Sequence, residues 1–247
     1  MQRAGAITYR AEPAGQAVLG ARTCEGKAAL VLRGHSARIV GLGFADLHTQ
    51  DGNGAGIRLE QGAATVRQAW FASSDQGILT ANDPAISLRV ERSSFRRLGR
   101  CGGGRACAHS IYIGRIGSAA IRQCRFAAGT GGHYLKSRAA RILVSGNAFD
   151  DTAGQRTNYL IDLPEGASGV IADNRFRQGS RKDNGAAMIA IGAENRRAPA
   201  DLAVRDNRAG IARAGWPTAF IVDWTRGQVT TGGNVLSGAV SAYRRPW

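Results

Sequence analysis

The chain has 247 residues, enough for one domain with a sizeable core, and 34 of them are glycine while only 6% are aromatic. That composition disfavours a large helical bundle and fits strands separated by Gly-, Asn- and Asp-containing turns. Lys and Arg number 33 against 18 Asp and Glu, a net charge of +15 that draws polyanions; no basic tail, zinc-finger spacing or membrane-length apolar run accompanies it.

In chain order, the opening segment 1–10 lacks the apolar region of a signal peptide. It already reads like repeat sequence, so a leader, and with it a first coil, is expected to have preceded it. From residue 37 a phrase recurs: ARIVGLGF, AATVRQAWF, SLRVERSSF, AAIRQCRF, RILVSGNAF, GVIADNRF, DLAVRDNRA and QVTTGGNVL. Each opens with apolar–polar alternation, as in Val90-Glu91-Arg92, and predicts a strand. The phrases end in one column: Phe44, Phe71, Phe95, Phe126, Phe149, Phe176, Ala209 and Leu236, 23 to 33 residues apart. Repeats of this length signal stacked supersecondary units. Two residues before the column stand Ser93, Cys124, Asn147, Asn174, Asn207 and Asn234; Asn tolerates left-handed backbone and bonds neighbouring peptides, which suits a bend. The expected fold is therefore all-β, a single-stranded right-handed parallel β-helix of about eight coils that takes in residues 1–247 as one domain, packed on the Phe column.

Residues 99–108 interrupt the repeat as an inserted loop. Its Cys101 and Cys107 flank a Gly-rich run that can close as a disulfide, which suits an exported protein. Cys124 is expected to be a buried thiol, and Cys24 has no evident role.

A second strand precedes each phrase: GIRLE, GILTA, SIYIG, HYLKSRA, NYLIDLP, AMIAIG and AFIVDW. Aligning the inward residues Ile57, Ile78, Ile111, Leu135, Ile161 and Ile189 sends their successors outward. Those successors are Arg58, Leu79, Tyr112, Lys136, Asp162 and Ala190. Tyr112, Lys136 and Asp162 then become neighbours on adjacent coils, about 4.8 Å apart. Arg138 and Tyr134, two residues either side of Lys136, are expected on the same face. His109 and His133 begin two of these strands, Tyr159 a third, and Arg156 precedes it; Glu60 is a further candidate from an earlier coil. A cation, a phenol, an imidazole and a carboxylate on adjacent coils can do acid–base chemistry. Each also has a plainer role: Lys136 with Asp162 as a cross-coil ion pair, the histidines as hydrogen-bonded structural groups, the tyrosines as packing.

The strings Gly132-His133-Tyr134-Leu135-Lys136-Ser137-Arg138-Ala139 and Tyr159-Leu160-Ile161-Asp162-Leu163-Pro164 resemble a subgroup of bacterial right-handed parallel β-helix repeat proteins that carries Gly-His-x-x-Lys-Ser-Arg-Ala followed by Tyr-x-x-Asp-Leu-Pro. The resemblance spans roughly residues 35–240. Where that subgroup has a Gly pair after Pro, this chain has Glu165-Gly166, and Ile191-Gly192-Ala193-Glu194 lacks the subgroup's Tyr. A more distant similarity, to the chondroitinase B and alginate lyase family, rests on Lys136-Ser137 and Arg156. It implies a Lys base, an Arg acid about one coil later, and a metal-binding acidic cluster that is not evident here. No cofactor is expected, with Ca2+ the one ion left open.

The leading expectation is a polysaccharide lyase that cleaves a uronic-acid polymer by β-elimination, with Lys136 as base, Arg138 and Arg58 neutralising carboxylates, and Tyr112 or His133 as acid or alternate base. If Asp162 pairs tightly with Lys136, then His109, His133 or Tyr159 becomes the better base. Arg156, Tyr159, Asp162 and Tyr134 would contact substrate. The alternatives are a non-catalytic binding module for an acidic exopolysaccharide, or a glycoside hydrolase built on Asp162 with Glu165 or Glu60. Nucleic acid is the weaker partner because no stacking motif interleaves the basic residues. The protein is expected to be a periplasmic or secreted monomer.

Overall fold

A computed structural model describes residues 6–102, 106–195, 201–212 and 217–246. Those residues form three parallel sheets of nine strands each, stacked as a β-solenoid of about eight coils with no helix. Every coil visits the sheets in the same order. The first is sheet I, with five-residue strands such as Ser87–Glu91. Sheet II follows, with short strands such as Ser94–Arg96. Sheet III is last, with strands such as Ile111–Ile113.

The apolar–polar alternation of the repeat phrase builds sheet I. Val66, Val90, Ile121 and Val144 stack in register and are wholly buried, while their neighbours face out. Sheet II carries the expected column: Phe44, Phe71, Phe95, Phe126, Phe149, Phe176, Ala209 and Leu236 pair in sequence. Successive rings lie near-parallel, with centroids 4.6 to 5.0 Å apart. That spacing is the inter-strand distance of a sheet, so one Phe per coil makes a continuous stack.

The bend between sheets I and II divides its work between two positions. Left-handed backbone falls three residues before the column, at Gly41, Gln68, Arg92, Gln123, Gly146, Asp173, Asp206 and Gly233. The Asn that follows is freed for a different job. Asn147 donates Nδ2 to Asn174 Oδ1 and to the Ile121 carbonyl, each at 2.9 Å, and its backbone N–H also reaches Asn174 Oδ1. Asn174 repeats this on Asn207, and Asn207 on Asn234. Ser93 and Cys124 continue the column through Ala69 N–H to Ser93 Oγ and Cys124 N–H to Asn147 Oδ1. Burial pushes the Cys124 thiol up to about 12, so it is an inert core group.

The inserted loop closes through the Cys101–Cys107 disulfide; residues 103–105 within it lie outside the described residues. Cys24 is free and exposed.

Asn174→Ala would orphan two buried donors of Asn147 and the Val144 carbonyl. We expect it to lower unfolding free energy by at least ~2 kcal/mol in urea titration. The exposed neighbouring substitution Arg175→Ala should stay within about 0.5 kcal/mol.

Candidate functional site

Sheet III presents the outward column in the anticipated register: Arg58, Leu79, Tyr112, Lys136, Asp162 and Ala190 are successive partners. Alternation on strands Ile111–Ile113, Leu135–Ser137 and Ile161–Leu163 buries Ile111, Leu135 and Ile161 and sends the middle residue out.

Two glutamates from turns complete the cluster. Lys136 Nζ lies 3.3 Å from Asp162 Oδ2 and 2.6 Å from Glu194 Oε1. Arg138 remains on the same face just past its strand. Its Nε donates to Glu165 Oε1 at 3.0 Å, one terminal nitrogen to Glu194 Oε2, and the other to the Tyr112 hydroxyl at 2.5 Å. The guanidinium also sits over the Tyr112 ring. Arg115 forks onto the same Glu165. Glu194 therefore spans Lys136 and Arg138 with one oxygen on each, while its own side chain is 47% exposed. These cation contacts hold the Glu194 carboxyl below its usual range despite partial burial.

Behind this layer three rings from adjacent coils line up. His109 and His133 lie 4.9 Å apart, and His133 and Tyr159 5.4 Å apart. Asn184 donates to the Tyr159 hydroxyl at 2.9 Å. Burial, and then nearby cations, lower His109 to about 3; burial and His109 drive His133 well below its ordinary value. Both imidazoles are neutral at neutral pH. His109 Nδ1 accepts the His133 backbone N–H, so its ring proton is on Nε2. His133 Nε2 lies 3.3 Å from Asp162 Oδ2, while its Nδ1 and Asp162 Oδ1 are buried without hydrogen-bond partners. Burial raises Asp162 to about 6, against the opposing pull of Lys136.

Three expected contacts go elsewhere. Tyr134 is a correction: it is 1% exposed and faces the core, not the groove. Its strand begins only at Leu135, so the bend at Gly132–Tyr134 breaks the alternation that would have sent it outward. Its hydroxyl donates to Asp151 Oδ1 at 2.8 Å. Asp151 also receives Thr157 and Lys182, the latter at 2.9 Å with its side chain wholly buried. This network satisfies its polar atoms internally, as a buried ion pair requires. Arg156 projects to Asp183 at 3.5 Å with its side chain 62% exposed. Arg58 keeps the column but lies two coils from Tyr112, beside Glu60, which Lys27 and Arg33 also hold. Between Arg58 and Tyr112 a cavity of about 420 Å³ opens over Leu79, Thr80 and Asn82.

Glu194 and Arg115 were not legible as site residues, and Glu165 only as half of a hydrolase pair. Position after Asp-Leu-Pro and Ile-Gly-Ala was the sole signal, and neither string states where its turn points. The disulfide adds a brace: Gly132 N–H donates to Cys101 Sγ at 3.2 Å, beside His133. Among the described residues no group of three or more His, Cys, Asp or Glu is placed to hold a metal ion. Comparison with family models, curated proteins and solved structures finds no match for this chain.

His109 fixes a pH dependence. Its folded value lies below its unfolded one, so the stability it contributes is complete above about pH 6.5 and is lost as pH falls toward 3. His109→Gln should remove up to about 1.4 kcal/mol per pH unit of slope across that window, measured by urea unfolding at several pH values.

Proposed function

We propose that the protein is a polysaccharide lyase that cleaves a uronic-acid-containing polymer by β-elimination on the outer face of sheet III. The observation that carries the reading is Glu194: a carboxylate seated between Lys136 and Arg138, whose guanidinium also holds the Tyr112 hydroxyl. A substrate uronate that displaced Glu194 would meet the same two cations. Bidentate and charge-assisted contacts of this kind are the strong ones.

Roles shift from the leading expectation. Lys136 touches two carboxylates, so it serves as a cation that neutralises the substrate carboxylate, with Arg138. Neutralising that group stabilises the charge that develops when the adjacent C–H proton leaves. The Tyr112 oxygen accepts from Arg138, which leaves its own O–H free to protonate the departing 4-oxygen. We assign the base to His133, the imidazole that lies 3.3 Å from Asp162 Oδ2 and is neutral at neutral pH. The proton goes to His133, the C–H electrons form the C4–C5 double bond, and the C4–O bond breaks with its electron pair on oxygen. Arg58 and the cavity beside it would receive sugars further along the polymer. The disulfide supports a periplasmic or secreted setting.

A second reading, a binding module for acidic exopolysaccharide, is favoured by one observation. The side chain of His133 is 8% exposed, so proton transfer requires the groove to open. Unsaturated uronate formation, read by ultraviolet absorbance over a panel of polyuronates, decides between them; binding without any chain shortening would leave only the module.

Tyr112→Phe should lower turnover by about 10²–10⁴-fold with polymer affinity little changed, whereas Lys136→Ala should raise KM as well. Glu194→Ala removes the internal competitor and should tighten binding of short uronate oligomers several-fold by calorimetry.

A further inference from the structure

The positive surplus of this chain does not sit at the candidate site. There Lys136, Arg138 and Arg115 face Asp162, Glu165 and Glu194, charge for charge. The outer face of sheet II is different. Its two outward rows read Ser94, Arg125, Ala148, Arg175, Arg208 and Arg96, Ala127, Asp150, Arg177, Gly210 along successive coils. Arg96, Arg125, Arg175, Arg177 and Arg208 are all exposed, and among the described residues none lies within 4.0 Å of a carboxylate. Asp150, the only acid in those rows, is held by Thr152 at 2.6 Å and sits in the field of Arg125 and of its cross-strand partner Arg177.

Arg175 and Arg208 are direct partners on neighbouring strands, about 4.8 Å apart along the axis. Like charges directly opposite destabilise a sheet, and an anion laid across them removes that cost. The space for one is present: a groove of about 650 Å³ runs over Ala148 and Gly210, walled by Arg175, Arg177 and Arg208. Small residues between the guanidiniums leave a flat floor. Between Ser94 and Arg208 no aromatic side chain stands in the outward rows to stack a nucleobase, and Trp70, one coil beyond Ser94, is tied through Nε1 to the Gly15 carbonyl, which favours a sugar polymer over a nucleic acid. Because the rows follow the solenoid axis, a linear polyanion aligned with it meets guanidiniums on the coils of Arg96, Arg125, Arg175 and Arg208, with the Ala148–Asp150 coil between them, and Arg suits carboxylate or sulfate bidentately.

We propose that the arginine face of sheet II is a second binding surface for a linear anionic polysaccharide, separate from the sheet III site. The choice of polyuronate as its ligand rests on the proposed function. The face would hold a long chain on the protein while sheet III works on a different segment.

The test compares the parent, Arg175→Ser/Arg177→Ser/Arg208→Ser, Arg208→Glu and Lys136→Ala for retention on immobilised polyuronate across a salt gradient, with thermal melts as the folding control. Both sheet II variants should lose at least tenfold affinity for the polymer and elute at lower salt, with turnover of short oligomers unchanged. Lys136→Ala should keep polymer retention. Unchanged retention in the sheet II variants overturns the proposal, as does a parent that prefers duplex DNA through the same arginines. Arg-dependent retention with no unsaturated product sinks the lyase reading alone; product formation with Arg-independent retention sinks the second surface alone.

Discussion

One residue per coil sets the frame: the stacked Phe rings keep each turn of chain directly beneath the next, and the Asn ladder beside them ties the bends together. The two devices are complementary. Ring stacking is apolar and tolerant of small slips, whereas each Asn Oδ1 must meet the backbone N–H and the amide of the coil before it. A shift by one residue would turn every side chain to the wrong face and orphan those buried donors. Packing holds the register from Phe44 to Phe176 and the Asn ladder holds it from Asn147 to Asn234, so the coils where they overlap are held twice.

The chemistry of the outer faces follows from that register. Tyr112, Lys136 and Asp162 are remote in sequence yet adjacent because their inward neighbours Ile111, Leu135 and Ile161 occupy one buried column. The same stacking that gathers a balanced acid–base cluster on sheet III gathers exposed guanidiniums on sheet II, with Asp150 the one acid among them. A solenoid turns a repeated sequence position into a row, so a single residue preference, repeated, becomes a surface. The N-terminal coils show the balanced alternative, with Glu25 and Glu60 shared among Lys27, Arg33 and Arg58.

Burial inside the site layer divides its titratable groups. Asp162 is raised and the two histidines are lowered by the same desolvation, so at neutral pH the layer pairs neutral imidazoles with a carboxylate that titrates near the physiological range. Glu194, reaching in from a turn and half exposed, is the most exposed of the three carboxylates in the cluster.

By itself the sequence determined the coil period, the Phe column, the buried Ile column and the outward row from Arg58 to Ala190, because strand alternation and repeat spacing are local and additive. It also marked Cys101 and Cys107 as a pair. Only the tertiary structure decided what the turns deliver. Tyr134 enters the core because the chain bends before its strand begins. Glu165 and Glu194 reach back across coils to Arg138 and Lys136. Asp151 and Lys182 meet inside the solenoid, and exposed arginines outside the candidate site line the outer faces of sheets I and II. Alternation carries no information about the path of a turn, and a charge count carries none about its placement; both are set by how successive coils pack.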